Sequence, residues 1–149
     1  MSSRISMRAS NVALVAVVTL FACSLKYESA LAATPGQNAV AYLENRFGLS
    51  DVQARGALGA LLLFARERLP KPQFDQLAAR MPNADSIMQG VTQQGVVTKP
   101  LDEIGDYQES LASLGIGPTL AAQIAPAVVD FLGGAGFSQE QAILAGILR

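Results

Sequence analysis

The sequence predicts an all-α fold, a compact bundle of about six helices. Three observations point there. Apolar residues recur at i, i+3, i+4 and i+7 in most segments. Two capping-box pairs, Ser50 with Gln53 and Ser138 with Gln141, stand just before apolar runs. Gly and Pro punctuate the chain between those runs, at Gly48, Pro70, Pro82, Gly115, Gly117-Pro118 and Gly133 to Gly136.

The first 32 residues read as a secretory signal rather than as part of the bundle. Arg4 and Arg8 form a positive n-region, and Val12 to Ala22 is an apolar run of eleven broken by Thr19. Eleven helical residues rise about 16 Å, roughly half the hydrocarbon core of a bilayer, so the run is too short to span. Ala30-Leu31-Ala32 before Ala33 supplies a small-x-small cleavage site. Export follows, to the periplasm or beyond. A second reading is open: Leu20-Phe21-Ala22-Cys23 looks like a bacterial lipoprotein box, which makes Cys23 a candidate lipid attachment and anchors the chain to the cell envelope. Bulky Phe21 departs from that box, while Lys26 and Glu28 charge a region that a cleaved signal normally keeps neutral.

Cleavage after Ala32 leaves 117 residues with a net charge of -3 and 55 apolar residues. The hydrophobicity therefore belongs to the domain as well as to the leader, and one core can be buried. Residues 33–37 read as a tether and 38–149 as a single helical domain. Its parts, about 38–90 and 101–149, are joined by a linker over 91–100.

Ala39, Val40, Leu43 and Phe47 mark the first helix, stopped by Gly48. Ser50 opens the second, which runs to about Arg68 and is apolar on every face from Ala57 to Ala65, the signature of a central helix. Pro72 suits the first turn of a third, with Phe74, Leu77, Ala78 and Met81 facing inward; Ala84 to Gln89 adds one more turn. Gly90 to Pro100 contains two glycines, a proline and Val96-Val97-Thr98, hence the linker. Leu101, Ile104, Gln108 and Leu111 share the face of a fourth helix. Gly117-Pro118 opens a fifth with Pro126 inside it, where a kink is expected. Ser138 opens the last. Shifting residues 47–81 onto 114–148 aligns them without gaps, Gly48 on Gly115 and Phe64 on Phe131 among the matches. Two related three-helix units are one reading, and chance similarity in an Ala-rich chain is the other.

Composition excludes much chemistry. The chain has no His and one Cys, so it offers no imidazole base, no Ser-His-Asp triad and no Cys/His metal site. Charges balance to -1, which does not suit nucleic-acid phosphates. Asp102, Asp106 and Glu109, with Glu103 beside them, could be a cation site or a carboxylate pair for hydrolysis; a solvated helix face is the plainer reading. Arg66, Arg68 and Lys71 read as helix C-terminal charge. Tyr42 and Tyr107 read as half-buried packing residues. Gly56-Ala57-Leu58-Gly59 lies inside a helix, where small residues let backbones approach closely.

The segments FGLSDVQARGALGALLLFARERL, the helix ending in Met81-Pro82 and LGIGPTLAAQIAPAVVDFL, taken in order, resemble the VcgC/VcgE family of small exported bacterial proteins of unknown function. The resemblance covers roughly residues 38–148. It implies an all-helical exported domain and, as the family has no established catalytic residues, transfers none. The functional expectation is a non-enzymatic envelope protein acting by binding or structural contact, through self-association or an envelope protein partner. An alternative is an apolar ligand or lipid held between helices, with Phe64, Pro126 and Phe131 as the candidate cavity. No cofactor or metal is implied.

Overall fold

Ser50 shows how closely the sequence sets the elements. Its hydroxyl accepts from the Gln53 backbone N–H at 3.3 Å while its own N–H donates to Gln53 Oε1 at 3.1 Å, so the capping box closes and the longest helix begins at Asp51. The computed structural model describes residues 35–81 and 83–149. Among these it contains seven helices: α1 Pro35–Phe47, α2 Asp51–Arg68, α3 Lys71–Ala79, α4 Ala84–Gln93, α5 Ile104–Ser113, α6 Pro118–Gly134 and α7 Ser138–Ile147.

The α2 helix is the centre. Every residue from Gly56 to Ala65 is buried, as a helix apolar all round requires. Around it pack α1, α3, α4 and α5, while α6 packs on α1, α5 and α7. Tyr107, Phe64, Leu43, Leu58, Leu61, Leu77, Leu111 and Ile124 are among the largest side chains wholly enclosed. Among the described residues no single helix is long and apolar enough to cross a membrane.

Several boundaries differ from the sequence reading. The bundle has seven helices where about six are expected, because the turn expected at Ala84–Gln89 is a helix reaching Gln93. It ends in a Schellman motif: the Gly95 N–H donates to Thr92 O and the Val96 N–H to Val91 O, with Gly95 at φ 68°. The expected linker is thus helical at its start, and Val96 within it and Leu101 just after it lie in the core. The fourth expected helix starts at Ile104 rather than Leu101. Glu103 is its N-cap and Ile104 is 39% exposed, so Tyr107, Ser110 and Leu111 form the inner face. At the other end of the chain α1 begins at Pro35, four residues before Ala39, a proline suiting a first helical position.

The box expected at Ser138 does not form. The Phe137 N–H closes the end of α6 on Leu132 O, the chain turns at once into α7, and Ser138 falls inside the first turn. Pro126 lies within α6, which continues as one helix; Pro126 and Ala122 are exposed, so water can serve the carbonyl that proline leaves without a donor.

A shift of 67 residues carries the start of α2 onto that of α6 and the start of α3 onto that of α7. It carries Gly48, at φ 66°, onto Gly115, at φ 76°. The packing is reciprocal as well: α2 lies on α5, and α6 lies on α1.

Candidate functional site

The acidic face is organised by a residue outside it. Asp106 is the third helical residue of α5 and accepts from the Glu103 N–H at 3.1 Å. Lys99, from the segment before the helix, reaches Asp106 Oδ1 at 2.9 Å and Glu109 Oε2 at 2.8 Å. These two contacts raise the Lys99 ammonium well above its ordinary value, Glu109 contributing most, and the Lys99 contact followed by the Glu103 N–H holds Asp106 below the carboxylate range. Asp102 precedes the helix and its carbonyl accepts from Arg68. Of the candidate carboxylates, the structure joins Asp106 and Glu109 through one lysine. Among the described residues no group of three metal-liganding side chains is brought together.

A second charged contact lies between α3 and α7. Glu140 is 6% exposed, and its Oε1 accepts from Arg80 Nε at 2.9 Å. That bond holds the carboxyl below its ordinary value. The Arg80 guanidinium also lies 5.3 Å over the Phe137 ring, so one side chain ties two elements by charge and by its flat face.

The basic cluster divides its work. Arg68 stacks 5.3 Å over Phe64 and reaches Asp102 O, Lys71 pairs with Asp75 at 2.8 Å, and Arg66 contacts Glu67 at 3.6 Å. Arg66 and Arg68 lie in the last turn of α2, as the helix C-terminal reading has it, whereas Lys71 is the first residue of α3 and so stands at a helix N-terminus.

The three residues of the candidate apolar cavity have different surroundings. Phe64 is wholly enclosed, its ring 6.2 Å from Tyr107. Phe131 is half-buried, 5.3 Å from Tyr42, and Pro126 is exposed. Among the described residues, none of the three lines a cleft. Cys23 lies outside the described residues, as does the leader that carries it.

Tyr107 is fully buried where half-burial is expected, and among the described residues its hydroxyl has no hydrogen-bond partner. Burial alone pushes its phenol well above the ordinary value. Enclosed in this way, the phenol has no contact with solvent.

Two clefts lie either side of α4. One, of about 310 Å³, is lined by Val52, Arg55, Gly56, Ser86, Ile87 and Val91 among others. Val52 is 58% exposed at this cleft. The other, of about 420 Å³, is lined by Leu63, Arg66, Asp85, Met88 and Gln89 together with Thr92 and Gln93. Between them α4 sits on the backbone of α2. A Cβ on Gly59 would stand 2.1 Å from Val91 Cγ2 and 3.0 Å from the Ile87 carbonyl oxygen, and one on Gly56 would stand 2.5 Å from Leu114 Cδ1. Sequence reasoning named the glycines but missed what each receives, α4 at Gly59 and the Leu114 side chain at the end of α5 at Gly56. The Gly95-Val96 pair, a helix stop followed by a core residue, was the available signal.

The family model for proteins of unknown function VcgC/VcgE (DUF2780) matches residues 12–144. No curated protein and no solved structure matches the chain. With an all-helical architecture and a match over most of its length, this chain belongs to the VcgC/VcgE family.

Proposed function

We propose that this is an exported cell-envelope protein that acts by non-catalytic binding or structural contact, through a helical module made of two related three-helix units. One observation carries the non-catalytic reading. The acids that could work as a pair are engaged in ion pairs: Asp106 and Glu109 share Lys99, and Glu140 holds Arg80. A hydrolytic pair needs two carboxylates converging on a cleft with different proton affinities. Duplication is supported by the 67-residue correspondence of helix starts and by the reciprocal packing of α2 on α5 and α6 on α1.

Export rests on the leader. Removal after Ala32 yields a free protein, and cleavage before Cys23 yields a lipid-anchored one. Native mass spectrometry of the protein from membrane and soluble fractions tests the reading. The expected result is a chain lacking its leader, free or acylated, carrying a second copy or a partner. A chain retaining Met1 to Ala32 in the cytoplasmic fraction overturns export, and a bound small molecule returned chemically altered overturns the non-catalytic role.

A further inference from the structure

We draw no further inference here: the strongest candidate, the cleft of about 310 Å³ between α2 and α4 where Val52 is 58% exposed, carries nothing, because its Arg55 is already paired with Asp51 at 2.8 Å and nothing in the structure shows what covers it.

Discussion

Val91 of α4 occupies the place where a side chain on Gly59 of α2 would be. A Cβ on Gly59 would stand 2.1 Å from Val91 Cγ2, far inside van der Waals contact, and 3.0 Å from Ile87 O, which is backbone and cannot swing aside. Helix propensity alone favours Ala over Gly by up to about 1 kcal/mol. The contact reverses that preference.

Gly59→Ala is therefore expected to destabilise the domain by about 1–3 kcal/mol, read by urea unfolding. Gly133→Ala supplies the contrast. There the three atoms nearest an added Cβ all belong to the Gln141 side-chain amide, at 2.5 to 2.7 Å, and that side chain can rotate away. Gly133→Ala is expected to be neutral or to stabilise by up to about 1 kcal/mol.

Tyr107→Phe removes a hydroxyl that is buried without a partner among the described residues. Deleting an unsatisfied polar atom while keeping the ring is expected to leave stability unchanged or raise it by about 1 kcal/mol. Tyr107→Ala is expected to cost about 3–5 kcal/mol, because the ring fills the core beside Phe64. Thermal melts of the two variants separate ring from hydroxyl.

The pair of Glu140 and Arg80 gives a pH dependence of known sign. Its carboxyl lies below the ordinary value when folded, so its stabilisation is present above the unfolded carboxylate range and is lost as pH falls through the folded value. Glu140→Gln is expected to lower stability by about 1 kcal/mol at pH 7, the arginine being half exposed, and the deficit is expected to vanish in acid. Unfolding curves of both proteins between pH 7 and pH 2 check it.

Lys99→Met removes the cation shared by Asp106 and Glu109 and leaves the two carboxylates of α5 facing each other. The expected outcome is lower stability at low salt, partly recovered at high salt as the repulsion is screened. Melting temperatures at two ionic strengths read the difference.

The parts legible in the sequence are those decided by neighbours along the chain. The capping box at Ser50 and the all-round apolar run of Ala57 to Ala65 each depend on residues within one or two turns, and both appear where the pattern puts them. Elements set by long-range geometry are not legible. Arg80 meets Glu140 across 60 positions, and Lys99 finds α5 only because the chain after Gly95 folds back. Phe64 and Phe131 match under the internal shift, yet equivalent positions in two units need not share a cavity; one ring lies against Tyr107 and the other against Tyr42. The α4 helix was half visible. Gly90 and Gly95 resemble linker residues in composition, whereas Gly95 closes a helix and Gly90 sits within one. Glycine content alone does not separate those uses.

The close approach of α2 and α4 is the central structural claim, and a double-mutant cycle of Gly59→Ala with Val91→Ala tests it most directly. Removing the valine methyls opens the space that the new Cβ needs, so the two substitutions are expected to couple by about 1–2 kcal/mol, the double variant being more stable than the sum of the singles implies. Effects that add within about 0.5 kcal/mol would mean that Val91 does not fill the space above Gly59, and would contradict the contact.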